Sequence, residues 1–379
     1  VVSCAPSRLS IQQISIEEFG ANGARDAQEN LKQFFQGRFP PHTVSYSLSL
    51  LDKSLIPEGS DAAQAFQHTI SLAQSAERLG YRRYWLAEHH GNKNYAGSAP
   101  EVLAAHVLAK TSRIRVGTGG VMLQHYSPFK VAETFRVLAS LAPGRVDLGI
   151  GKAPGGLPLT SKALQWLHDP VKKGEDFGVR LAELDAFLHD GIASGHALAG
   201  AVATPNPPQL PQRVLLGGSP ESAVLAARLG WQFVYAGHFN GDSVNLAQSL
   251  EAYRAESGRA PLLALFAFAA ETHEKAAELV GALRSFRVHL PTGQSVNLPS
   301  LEAAAEFARQ AGVSDYRTEE RRPHVVAGTG EEVRDALDAL SERYGIEEFV
   351  IDIPVAGFAE RHASVELLAK AHKSTPVPA

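Results

Sequence analysis

The chain has a single cysteine, Cys4, among 379 residues. No disulfide can form within it, and zinc sites of the usual four-ligand cysteine type are excluded. Basic residues are not in excess: 36 lysines and arginines face 40 aspartates and glutamates, a formal net charge of −4. Nothing is left over to neutralise a nucleic-acid backbone or an anionic membrane. Also missing are any run of about 18 apolar residues and an amino-terminal basic segment followed by an apolar stretch and cleavage site. The expectation is a soluble, unexported, cytoplasmic protein with no nucleic-acid or membrane partner.

What is present suits a globular chain with a substantial core, since 44% of residues are hydrophobic and 20% charged. Residues 1–42 read as an appended arm, with one weak amphipathic stretch from Ile16 to Phe35 and the breaker pair Pro40-Pro41. Residues 43–379 read as one domain, in which short β-prone runs alternate with helical periodicity from Val44 onward. Candidate strands are Val44–Leu51, Arg83–Ala87, Ile114–Thr118, Val146–Ile150, Val214–Gly217, Phe233–Ala236, Leu262–Ala269 and Phe349–Ile353. Helical patterns at Ala62–Leu79, Glu101–Lys110, Val131–Leu141, Glu221–Leu229 and Glu331–Tyr344 fall between them, and Gly80, Gly230 and Gly345 stand where left-handed caps belong.

Eight strands with crossovers favour an α/β fold closed into a (β/α)8 TIM barrel over an open doubly wound sheet. The early Gly-x-Gly-x-x-Gly turn of the open sheet is lacking, and the nearest run, Gly117-Thr-Gly-Gly, has the wrong spacing. Long connections at 152–212 and 271–347 predict insertions in the loops after strands 4 and 7.

In such a barrel the chemistry lies where strands end. Ala87-Glu-His-His follows the second strand; a strand-end histidine can move a proton near neutral pH, and it can equally be a hydrogen-bonded structural residue. Gly117-Thr-Gly-Gly follows the third strand, where glycine allows a planar ring, or the chain itself, to pack closely on the backbone. Lys152 follows the fourth strand in a glycine-rich loop, and Lys162 begins a helix ten residues later; each can offer a point charge to a phosphate. Gly217-Gly-Ser-Pro-Glu-Ser follows the fifth strand, with Ser219 as N-cap and Pro220 at the first helical position, so free N–H groups and the helix dipole favour an anion there. The plain alternative is a well-capped helix. A metal-dependent hydrolase using Glu88 and the histidines, with His125 and His238, is a rival; no His-x-His pair supports it, and it lacks a carboxylate after the last strand unless Asp352 turns inward.

Together Ala87-Glu-His-His, Arg113-Ile-Arg-Val-Gly-Thr-Gly, Gly144-Arg-Val-Asp-Leu-Gly-Ile-Gly, the Gly217–Ser222 turn, Gly328-Thr-Gly-Glu-Glu-Val and Glu348-Phe-Val-Ile-Asp resemble the luciferase-like flavin monooxygenase family. The resemblance runs from Val44 to His372. It implies a usually dimeric barrel that uses reduced FMN and O2 to oxidise a small organic substrate, the reduced flavin coming from a separate reductase. By position, it implies that His89 and His90 are the family's catalytic pair, His89 lying beside the flavin ring. Gly119 and Gly120 then lie beneath the ring, and Gly218, Ser219 and Ser222 hold the FMN phosphate. Lys152 and Lys162 replace arginines that commonly contact that phosphate, keeping charge while losing the bidentate fork. Deazaflavin-dependent dehydrogenases share the fold, and a flavin-binding protein without turnover is a third reading. Trp166, His125, Tyr126, His238, Phe239 and Phe286–Pro299 are candidate pocket residues.

Overall fold

Each of the eight expected strands forms, each a short run of largely apolar residues, most with β-branched or aromatic members, bounded by turn residues. They are β1 Ser47–Asp52, β2 Arg83–Leu86, β3 Arg115–Thr118, β4 Val146–Gly151, β5 Gln212–Gly217, β6 Gln232–Ala236, β7 Leu262–Ala269 and β8 Glu348–Asp352. The computed structural model describes residues 45–168, 176–189, 191–237, 242–293 and 295–373. The amino-terminal arm, His238 and Phe239 lie outside these residues.

All neighbouring strands pair in parallel, and pairing of β6 with β7 and of β7 with β8 closes the barrel. Helices α1 Ala62–Leu79, α2 Pro100–Lys110 and α3 Pro128–Leu141 follow the first three strands. The insertion after β4 carries α4 Pro158–Leu164 and α5 Phe177–Leu188, and β5 and β6 are followed by α6 Pro220–Arg228 and α7 Ser243–Ser257. Beyond β7 come α8 His273–Gly281, α9 Leu301–Gln310 and α10 Gly330–Tyr344, and α11 Phe358–Lys373 follows β8. Helix ends follow local chemistry. Gly80 and Gly345 cap α1 and α10 at φ 90° and 57°, and Thr329 with Glu332 forms a capping box at the start of α10.

The insertion after β7 is more structured than its polar sequence indicates. Ser285–His289 pairs antiparallel with both Ser295–Leu298 and Arg317–Arg321. Arg-Thr-Glu-Glu-Arg has no apolar alternation and is exposed throughout, so only backbone pairing reveals it as a strand. Val325–Gly328 adds beside the carboxyl half of β7, from Phe266 to Ala269, and was hidden within the long connection.

Inside the barrel, Leu51, Trp85, Val214, Leu216, Val234, Leu262, Ala264 and Val350 form an apolar layer. Below it, at the strand starts, lies a charged floor. Arg83 donates to Glu348 at 2.7 Å, to Asp147 at 3.0 Å and to Gln212 at 2.7 Å, while Arg115 and Trp85 also donate to Asp147. Its acids and guanidinium are multiply bonded, as buried charge requires.

A second lock faces outward from the end of β1. Asp52 accepts from Thr69 at 2.6 Å, Tyr84 at 2.6 Å and Arg361 at 2.8 Å, joining β1, α1, β2 and α11. Burial alone would raise the Asp52 pKa; the Arg361 guanidinium and the two hydroxyls outweigh it and hold the carboxyl below its ordinary value. A depressed folded pKa contributes stability above the unfolded value of about 3.9, and that contribution is lost as pH falls through the folded pKa. Urea midpoints measured from pH 6 down to pH 3 are therefore expected to fall less steeply in Asp52→Asn than in the parent; equal slopes would remove this acid from the account.

Candidate functional site at the barrel mouth

β2 stops at Leu86, so Glu88, His89 and His90 belong to a loop and are free of strand alternation. Their side chains nevertheless part. Glu88 is fully buried: Oε1 accepts from the Tyr126 hydroxyl at 2.8 Å and lies 2.7 Å from His90 Nε2, and Oε2 accepts from the Met122 amide at 3.0 Å. Burial, and then the Glu88 charge, push the Tyr126 hydroxyl well up. Burial raises Glu101 as well, with Glu88 adding repulsion. Glu88 is thus a hub joining the loop after β2 to the Val121–Tyr126 segment. It is absent from the catalytic set expected from sequence, where it figured only as a metal ligand.

His90 is buried and committed to Glu88, its amide donating to the Gly155 carbonyl at 2.8 Å. His89 is half-buried and stacks on Tyr95, ring centroids 4.6 Å apart and 24° from parallel. Its amide donates to the Gly97 carbonyl at 2.9 Å, and Tyr95 forms a bridge with Leu55 in the loop after β1. The two histidines differ in kind: one is fixed by a carboxylate, and the other presents a less buried ring from a stacked platform.

His125 is anchored on both nitrogens, Nε2–H donating to the Pro154 carbonyl at 2.8 Å and Nδ1 accepting from Gln165 at 3.0 Å. Burial lowers its pKa. Among the described residues no three His, Cys, Asp or Glu side chains gather as a metal site. Asp352 does turn inward, and it meets Lys53. Trp166, a candidate pocket residue, is 72% exposed, with the Lys162 ammonium 5.8 Å from its ring centre.

The glycines after β3 serve the chain's own packing. A Cβ on Gly119 would meet Leu51 Cδ1 at 2.6 Å and Trp85 Cβ at 3.2 Å; one on Gly120 would meet the Gly149 carbonyl at 2.8 Å. The Gly119–Gly120 peptide is cis. Backbone atoms of β3 and β4 approach where Gly117 and Gly149 face Asp147 and Thr118, which no side chain would allow.

At the end of β5, Ser219 caps α6, its hydroxyl accepting from the Ser222 amide at 3.4 Å and lying 3.4 Å from the Ser222 hydroxyl. Gly217 has no room for a Cβ, which would fall 2.6 Å from Ser222 Cβ. Asn245 of α7 donates to the Gly218 carbonyl at 2.7 Å, fixing the turn. Glu221 in the first turn has a lowered pKa, through its hydrogen bond with Ser219 first and with the Lys152 charge as a minor cause. Lys152 is exposed, its ammonium 5.8 Å from the Phe177 ring centre. Lys152 thus comes within charge range of this helix start. Lys162 sits beside Trp166 on α4, and no contact among the described residues joins it to Ser219 or Ser222.

A parallel eight-stranded barrel with histidines in one mouth loop and an anion-favouring helix start in another defines a (β/α)8 scaffold with its candidate site at the carboxyl ends of the strands. The chain belongs to the luciferase-like monooxygenase family, whose family profile matches residues 47–348. It is 44% identical over 329 residues to N-acetyl-S-alkylcysteine monooxygenase of Bacillus subtilis strain 168, covering 86% of this chain and 97% of that one. Among solved structures, apo-MsnO8 is 33% identical with a TM-score of 0.69, covering 89% of this chain and 100% of the other. Two more distant barrels share the fold. The oxygenating constituent of 3,6-diketocamphane monooxygenase from Pseudomonas putida, solved with FMN, is 18% identical with a TM-score of 0.62 and covers 88% of this chain and all of the other. A deazaflavin-dependent secondary alcohol dehydrogenase is 15% identical with a TM-score of 0.59, covering 86% of this chain and 98% of the other.

Proposed function

We propose that this protein is the oxygenating component of a two-component flavin monooxygenase, taking reduced FMN from a separate reductase and oxidising a small thioether of the N-acetyl-S-alkylcysteine class. The 44% identity to an enzyme named for that substrate, over 86% of this chain and 97% of that one, carries the reading. A homodimer belongs to it.

The donor set at the start of α6 suits a terminal phosphate: the Ser219 and Ser222 hydroxyls, the positive end of the helix dipole and one nearby ammonium. Gly218, Ser219 and Ser222 would hold the phosphate with Lys152. Lys162, whose ammonium lies 5.8 Å from the Trp166 ring centre, would add a second charge on the strength of its position alone. Gly119 and Gly120 would form the floor under the ring. When bound there, reduced FMN would supply the two electrons that let O2 place one oxygen atom in the substrate and release the other as water. His89 exchanges the proton, and Glu88 holds His90 and Tyr126 in place around it. The buried carboxylate hub and apolar barrel layer limit water below the reacting groups.

Calorimetric titration is expected to give tighter binding of FMN than of FAD, because a helix start recognises a terminal phosphate better than an adenylated one. Ser219→Ala should weaken FMN more than riboflavin and cost about 1 kcal/mol of fold stability for the lost cap. Equal or tighter FAD binding would move the phosphate elsewhere. Mass-spectrometric detection of oxidised thioether, with enzymatically reduced FMN and N-acetyl-S-methylcysteine, tests the activity itself; no product above the enzyme-free background would overturn the substrate.

A further inference from the structure

The mouth contains a charged pair that neither the cofactor site nor the histidine loop uses. Lys53 Nζ lies 2.6 Å from Asp352 Oδ2, with side chains only 14% and 2% exposed, and 4.8 Å from the centre of the Phe266 ring. Leu51, Val350 and Ala264 point into the barrel, and strand alternation places Asp352 and Phe266, two residues beyond Val350 and Ala264, on the same inner face. Asp52 points outward to Arg361, so Lys53 is the first residue of the loop after β1 to return to that face. The Lys53 carbonyl lies against Gly97, whose own carbonyl accepts from the His89 amide. In the closed strand order β1 stands halfway round from β5. The pair therefore occupies the rim opposite the phosphate corner and beside His89.

We infer that Lys53 and Asp352 form the subsite for the polar end of the substrate, recognising an N-acylated amino acid by its adjacent carboxylate and amide N–H. The identification of the mouth as a substrate site rests on the monooxygenase reading above. The ammonium has three donors, and the carboxylate of Asp352 can accept more than one bond. No aligned hydrogen bond reaches buried Oδ2 despite its ionic contact. On the barrel floor, by contrast, Arg83, Asp147 and Glu348 share several aligned bonds. A buried ion pair seldom adds stability over apolar residues of equal volume, so stability alone does not account for this one. In an N-acyl amino acid the N–H and the carboxylate hang from one carbon, a hydrogen-bond length apart, as Nζ and Oδ2 are. The ligand carboxylate can accept from Lys53 while its amide donates to Asp352, and the S-alkyl arm is left to point across the mouth. A ligand lacking either group would engage only one half of the pair and forfeit the other bond, leaving Lys53 and Asp352 to each other.

The test is calorimetric titration of the FMN-loaded protein with N-acetyl-S-methylcysteine, its carboxamide and its N-methylated amide. The acid is expected to bind at least tenfold more tightly than either analogue. Both preferences should disappear in the volume-matched double variant Lys53→Met/Asp352→Leu, and a polar pair, Lys53→Gln/Asp352→Asn, serves if the first does not fold. Equal binding of the acid and carboxamide, or no binding of the acid, overturns the subsite, and so does a preference that survives in the variant. Detection of the oxidised thioether separates this from the underlying reading: oxidation without selectivity overturns the subsite alone, whereas selective binding without oxidised product overturns the monooxygenase and supports the subsite.

Discussion

Replacing His89 with asparagine lowers turnover by roughly 10²–10⁴-fold while FMN remains bound, the range expected for loss of a general acid or base. Asparagine keeps a planar polar side chain able to rest on Tyr95, and it removes the group that titrates near neutrality. The pH dependence of kcat is the discriminating measurement, since a merely structural histidine would leave its limbs in place. His90→Asn is the comparison. It removes a ring held 2.7 Å from buried Glu88, so its larger effect should fall on stability and its smaller one on turnover. Normal turnover and a normal pH profile in His89→Asn, with FMN retained, would return His89 to the structural reading.

Glu88→Ala is expected to destabilise the fold by about 3–5 kcal/mol, measured by urea unfolding. The carboxylate serves the Tyr126 hydroxyl, His90 and the Met122 amide. Stranding each buried donor costs about 1–3 kcal/mol, and the losses are not simply additive within one network. Glu88→Gln keeps the volume and one acceptor oxygen, so it should recover part of this stability. A Glu88→Ala protein as stable as the parent would show that water or a neighbour takes over those donors. A merely structural hub predicts that turnover falls only with the folded fraction; a positioning role for His90 and Tyr126 predicts that Glu88→Gln also shifts the pH profile in fully folded enzyme.

The strand count was legible because parallel barrel strands are buried on both faces and read as continuous apolar runs between breakers. The turn at Gly217–Ser222 was equally legible, since capping chemistry acts over a few neighbouring residues. Arg317–Arg321 was not: its pairing with Ser285–His289 spans a whole helix and leaves no apolar period. The paired histidines were legible as a strand-end motif, but their separate partners, Glu88 for His90 and Tyr95 for His89, came from the structure.

By itself the sequence determined the alternation of strand and helix, the helix caps and the family motifs, all of which depend on residues near one another in the chain. Tertiary structure alone decided that Glu88 is the hub of the mouth, that Asp52 faces Arg361, and that Lys53 meets Asp352. Those partners stand up to 309 residues apart. Closing the barrel brings β1 against β8, and only that closure makes neighbours of charges whose spacing in the chain carries no periodic signal.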